Sequence, residues 1–306
     1  MKMKYQICLC LLFILGWASV VHAKLNVVAT TSDFGALVKE IGKEYVDVTC
    51  IAKPTEDPHF VDAKPSFIVK LNKADLLIEG GCQLETGWLP SLITGARNQK
   101  ILSGNSGHLI ASKGIQMLEV PVSADRAMGD VHPMGNPHFM LDPANGKIVA
   151  THICNQLCQI DAGNCAYYKN NLYDFVKRLD RKLSEWQKIL EPFRGTKIVT
   201  YHKTFSYFAN RFNLNVTGTL EPKPGIPPSP AHINNLIPMM KKEEVRLIII
   251  EPFREHKIPD FVAAQTGAKV VVLPIMPGGQ KETNDYLSLF DYTMNQIVSA
   301  LETKSQ

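Results

Sequence analysis

A strand–helix opening occurs twice in this chain, once on each side of a long amphipathic stretch without a break. LNVVATTSDFGALVKEI (25–41) has a short β-branched run, then Phe34, Leu37, Val38 and Ile41 at helical spacing. TKIVTYHKTFSYFANRF (196–212) repeats it, with Ile198-Val199 matching Val27-Val28, Phe205 matching Phe34, Phe208 matching Leu37 and Phe212 matching Ile41. VDVTCIA (46–52), DLLIEGG (75–81), LIIIEPF (247–253) and AKVVVLP (268–274) read as further strands. PSFIVKLNKA (65–74), AHINNLIPMMKKE (231–243) and DYLSLFDYTMNQIVSAL (285–301) read as helices. Strands alternating with helices imply βαβ units and a mostly parallel sheet.

Between the two openings, Leu172, Phe175, Val176, Leu179, Leu183, Trp186, Ile189 and Leu190 trace one apolar stripe, with no proline until Pro192. At 1.5 Å per residue such a helix is roughly 40 Å long. The expected architecture is α/β: an N-terminal lobe over 24–165, a connecting backbone helix over 166–194 and a similar C-terminal lobe over 195–306. A stiff connector predicts little hinge motion between the lobes.

Residues 1–23 stand apart. MKMK is basic, the following run is apolar, and Val21-His22-Ala23 ends on a small residue, the pattern of a cleaved secretory signal peptide. Cys8 and Cys10 fall inside the apolar run, too early to start a lipid-modified mature chain. Export to the periplasm follows. The full chain carries 33 basic and 29 acidic residues. Removing Lys2 and Lys4 leaves 31 − 29 = +2, with no basic run that would favour nucleic acid.

Five cysteines remain after cleavage: Cys50, Cys82, Cys154, Cys158 and Cys165. An exported compartment permits disulfides. Cys158 and Cys165 are placed to bridge a helix end to the next helix start. Cys154 and Cys158, one helical turn apart, are the competing pair, or a soft-metal pair. Structural roles are expected for all five.

The histidines carry the chemistry. His59 and His138 each follow a proline, in EDPHFVDAKPS (56–66) and GDVHPMGNPHFMLDP (129–143), and His202 lies just past the strand KIVTY. In open α/β sheets, ligands bind at the carboxyl ends of strands. Three loops are thus positioned to aim three imidazoles into one cleft, a donor set suited to zinc and other late first-row ions. His108, in a Gly-Asn-Ser-Gly turn, His152 and His232, in helical stretches, and His256, in a charged loop, are expected to be non-ligands. His132 is read as a turn residue with a possible accessory role.

The chain resembles the metal-binding subunits of bacterial ABC importers, the zinc- and manganese-binding ZnuA/TroA-like family. LNVVATTSDF, EDPHFVDAKPS, GNPHFMLDP, the long helix and VTYHKTFSYFANRF carry the resemblance, over residues 24–301. It implies two α/β lobes joined by a rigid helix, with the metal buried between them. His59 and His138 would come from the first lobe and His202 from the second. Members with histidine at the third position tend toward zinc and those with a carboxylate toward manganese, as ligand softness would have it. It implies delivery of Zn²⁺ to an inner-membrane ABC permease with its ATPase, by a monomer that is not an enzyme.

Two features depart from the family. Where many members have a carboxylate after the strand corresponding to AKVVVLP, this chain reads IMPGGQKETND. Glu251, Glu282, Asp285 or water are the alternatives for the fourth ligand, with Glu251 at the carboxyl end of LIIIEPF named first. The His-rich acidic loop of many zinc members is also reduced here to DRAMGDVHPMGNPH, with His132 its only extra histidine. The rivals are the same fold binding Mn²⁺ or Fe²⁺ and, more remotely, a zinc hydrolase, against which the chain lacks an HExxH motif.

Overall fold

The computed structural model describes residues 23–123, 129 and 131–302. The expected signal peptide thus lies outside the described residues except for Ala23. Two four-stranded parallel sheets form the frame. The first contains β1 (Leu25–Ala29), β2 (Val46–Cys50), β3 (Leu76–Glu79) and β4 (His108–Ile110), in the order β2-β1-β3-β4. The second contains β5 (Lys197–Thr200), β6 (Asn215–Thr219), β7 (Leu247–Ile250) and β8 (Lys269–Val272), in the order β6-β5-β7-β8. All pairings between these strands are parallel. The two orders are the same pattern, with the first strand of each lobe flanked by its second and third. The repeated openings at 25–41 and 196–212 therefore occupy equivalent places.

Helices cover both faces: α1 (Ser32–Gly42), α2 (Pro65–Asn72), α3 (Leu89–Ala96) and α4 (Asn145–Ile160) in the first half, and α6 (Ser206–Phe212), α7 (Pro230–Lys242), α8 (Lys257–Thr266) and α9 (Tyr286–Glu302) in the second. Between them runs α5 (Cys165–Leu190), 26 residues long. Tyr168, Phe175, Leu179, Trp186 and Leu190 form its buried stripe. Local chemistry sets some starts: Ser229 accepts a hydrogen bond from the His232 amide and Pro230 follows, so α7 is capped and begins with a preset φ.

One hydrophobic cluster runs through both lobes. Val27, Leu37, Leu76 and Phe139 share it with Ile198, Phe208, Leu247 and Phe290, and Phe175, Leu179 and Trp186 of α5 join it. The Trp186 ring lies 5.4 Å from that of Phe290, and its indole N–H donates to Asp291 at 2.8 Å. Polar ties cross at the same level. The Tyr286 hydroxyl donates to the Met140 carbonyl at 2.9 Å, and Arg211 holds both Asp142 oxygens at 2.7 Å. The remaining face of each sheet has its own smaller core.

The structure joins Cys158 to Cys165, across the α4–α5 junction, and leaves Cys50, Cys82 and Cys154 free. His108 corrects an expectation. It lies in β4 rather than in a turn, with Nε2 2.9 Å from Glu79 Oε1 on the neighbouring strand. A three-residue edge strand has too few residues for alternation to announce it. No described helix is long and apolar enough to cross a membrane.

Candidate metal centre

His59 and His202 come just past the carboxyl ends of strands, where open α/β sheets bind ligands, and His138 comes from the segment after β4. His59 lies on the loop after β2, and His202 directly follows β5. His138 precedes the short 3-10 turn Phe139–Leu141. Asn136 pins it, because Asn136 Oδ1 accepts from the His138 amide at 2.9 Å while Nδ2 donates to the Lys203 carbonyl of the other lobe at 2.8 Å.

The three rings form a nearly equilateral triangle, with centroids 5.1, 5.4 and 5.6 Å apart. One nitrogen from each of His59, His138 and His202 lies within 4.8 Å of the others. His138 and His202 are buried and His59 is half-buried. His138 Nε2 is buried without a hydrogen-bond partner. Burial first, and then the neighbouring rings, hold the His138 pKa well below the usual imidazole range. A neutral ring with an unpartnered nitrogen aimed at two others is a metal-ready donor.

Carboxylates fix the tautomers. His59 Nδ1 is 2.7 Å from Asp57 Oδ1, and His202 Nδ1 is 2.7 Å from Glu221 Oε2. An ionised carboxylate only accepts, so each Nδ1 carries the proton and each Nε2 offers its lone pair. Burial works to raise the Asp57 carboxyl, but hydrogen bonds from the His59 ring and amide and the charge of Arg254 outweigh it and hold it below the usual range. Arg254 binds the outer shell together, at 3.6 Å from Asp57, 3.2 Å from Glu221 and 3.5 Å from Glu251, and lies 4.7 Å over the Tyr201 ring. Asp57, Glu221 and Arg254 were not singled out from the sequence. Their signal was position: Asp57 two residues before His59, Glu221 just past β6 and Arg254 just past β7.

Glu251 is completely buried. One of its oxygens accepts from the Thr204 hydroxyl, while the other lies 3.5 Å from Arg254 and has no hydrogen bond. Burial pushes its carboxyl up. It does not belong to the set of donors that close on one another. Glu282 and Asp285 are exposed, and Asp285 instead caps α9 by accepting from the Ser288 amide at 2.8 Å. After β8 the chain places Ile275 and Met276 beside His138, in a small cavity shared with Thr31 and Asp33. His132 lies near the set, its Nε2 3.3 Å from that of His59.

Two parallel-sheet lobes closing on a buried group of imidazoles define a solute receptor whose solute is a metal cation. The chain matches, over residues 27–300, the family described as ZnuA, "Zinc-uptake complex component A periplasmic", and belongs to it. It is therefore a substrate-binding component of a metal ABC transport system, working with a permease and an ATPase. It is 26% identical over 287 residues to the manganese ABC transporter substrate-binding lipoprotein PsaA of Streptococcus anginosus, covering 91% of this chain and 89% of that protein. It is 25% identical over 291 residues to the high-affinity zinc uptake protein ZnuA of Bacillus subtilis strain 168, covering 92% and 89%. A crystal structure of ZnuA superposes with a TM-score of 0.76 at 25% identity, covering 90% of this chain and 99% of that one. A manganese-bound periplasmic metal-binding protein from candidatus Liberibacter asiaticus shares the fold at a TM-score of 0.74 and 22% identity, over 91% of this chain and 100% of that one.

Proposed function

We propose that this protein captures Zn²⁺ in the periplasm, after removal of residues 1–23, and hands it as a monomer to its permease and ATPase. The observation that carries the reading is the donor set, in which His59, His138 and His202 close on one another and, among the described residues, no carboxylate joins them. Imidazole suits zinc, whereas carboxylate and water suit manganese. The second reading is Mn²⁺ or Fe²⁺, with Glu251 completing the shell. The buried Glu251 oxygen without a hydrogen bond is what favours it.

Binding requires neutral rings, so affinity falls with acid. Burial holds the His138 ring toward its neutral, metal-ready form. The core shared through α5 opposes a wide hinge, so capture and release work by rearrangement near the site. The family is described by uptake rather than by turnover, so a carrier role is preferred to hydrolysis.

The test is metal content and competitive affinity of the purified protein beside His59→Ala, His138→Ala and His202→Ala. One zinc per chain, held tightly and weakened in all three variants, is expected. A wild type that selects manganese over zinc defeats the zinc reading, and three variants that bind like wild type defeat the centre.

A further inference from the structure

His132 has a more defined place than a surface turn residue needs. The segment HPMG (132–135) is a tight turn, with the Gly135 amide donating to the His132 carbonyl at 3.0 Å. Proline at the second position and glycine at the fourth suit such a turn, and a residue before proline is restricted in its own backbone. Glycines pin the segment at both ends. Gly129 has φ +82° and a Cβ there would come 2.3 Å from the Pro224 carbonyl oxygen of the second lobe. Gly135 has φ +103° and a Cβ there would come 2.9 Å from the Leu118 carbonyl oxygen. Neither position accepts a side chain without moving backbone.

The turn aims the ring at the metal centre. His132 Nε2 stands 3.3 Å from His59 Nε2, and the ring centroids are 5.4 Å apart. His59 already donates its Nδ1–H to Asp57, which leaves its Nε2 lone pair facing His132 Nε2. A cation between the two nitrogens makes that contact favourable. The spacing fits such a cation: a tetrahedral ion with Zn–N of about 2.0–2.1 Å holds its donors about 3.3–3.4 Å apart. His132 and His202 also line one small cavity with Lys203 and Pro224.

His132 lies outside the group of donors that all fall within 4.8 Å of one another, and we propose that on binding it closes from its place beside His59 to become the fourth metal ligand, giving an ion held by four imidazole nitrogens. This rests on the zinc reading above and sharpens it. An all-nitrogen shell needs neither Glu251 nor a carboxylate after β8, and it disfavours manganese more strongly than three histidines and water would.

The test is ¹¹³Cd and ¹⁵N NMR of the full protein with ¹⁵N-labelled histidine, loaded with ¹¹³Cd²⁺, together with zinc competition on His132→Ala. Scalar coupling of one cadmium to four rings, including His132, is the expected result. Loss of a partner outside the ligand shell typically costs about 10–100-fold in metal affinity. His132→Ala should therefore weaken zinc by at least about tenfold, with manganese affinity nearly unchanged. The wild-type coupling pattern needs no variant to fold. Coupling to His59, His138 and His202 alone overturns the proposal while leaving the zinc reading standing. So does a folded His132→Ala with wild-type zinc affinity. Coupling to none of the four removes the centre itself, and this proposal with it.

Discussion

Replacing Glu221 by Gln keeps the volume and hydrogen-bonding reach of the side chain and removes the charge that orients His202. The carboxylate oxygen is 2.7 Å from Nδ1. Adding the ring and a metal–nitrogen bond puts the charge about 6–7 Å from the ion, where an effective dielectric of about 20 gives a gross attraction to a dication of about 5 kcal/mol. Arg254, 3.2 Å from the same carboxylate, offsets a large part of that. A net loss of about 1.4–2.7 kcal/mol remains, which is about 10–100-fold in affinity. A glutamine can also donate to Nδ1 and place the proton on Nε2, which would deepen the loss. Asp57→Asn repeats the change at His59, where the carboxylate is 15% exposed against 4% for Glu221, so solvent screens more and the loss should be smaller. Competitive titration against a zinc chelator at fixed ionic strength measures both, with urea midpoints to confirm folding. Zinc affinity within twofold of wild type in Glu221→Gln, or a greater loss in Asp57→Asn, would refute the account of how the histidines are held.

Three further outcomes are expected. Burial raises the Asp33 carboxyl to about 6, against the Thr31 and Phe34 hydrogen bonds. Its stabilising protonation is fully present below its unfolded value of 3.8 and is lost as pH rises through about 6. Asp33→Asn should therefore gain on wild type by up to about 3 kcal/mol between pH 4 and 7, read from urea midpoints, and a gain that shrinks over that range contradicts the burial argument. A Cβ on Gly146 would meet the Tyr286 ring at 2.3 Å, so Gly146→Ala should destabilise by about 1–3 kcal/mol, and an unchanged melting temperature would count against this close packing. Replacing Cys158 and Cys165 by Ala opens a loop of sequence separation 7 and should cost about 2–3 kcal/mol by denaturant unfolding, with equal stability of the oxidised and substituted chains the contrary result.

Much of the fold could be read from the chain because its strands are short, apolar and β-branched, and because a repeated pattern constrains itself. The pairs Val27-Val28 and Ile198-Val199 announce two equivalent central strands. His59, His138 and His202 were legible from loop position and local sequence, and the structure brings them together. The outer shell was not. Asp57, Glu221 and Arg254 lie in different loops, and an ion-pair network that crosses lobes leaves no spacing in a one-dimensional string. His132 lies in a turn. That its ring also faces His59 depends on where the turn docks, a tertiary fact. The β4 strand was missed because three residues cannot show a period.

The core that passes through α5 has a consequence for how such a chain can be divided. The repeat suggests two halves of common descent, yet the inner face of each sheet packs into a single apolar mass that contains side chains from the other half. Neither half carries the complement it would need to stand alone. A protease that cut between them would release fragments with a raw apolar flank, prone to stick rather than refold. The duplicated ancestor, if each copy once folded by itself, has given up that independence, and whatever loosens one half loosens the cargo's hold in both.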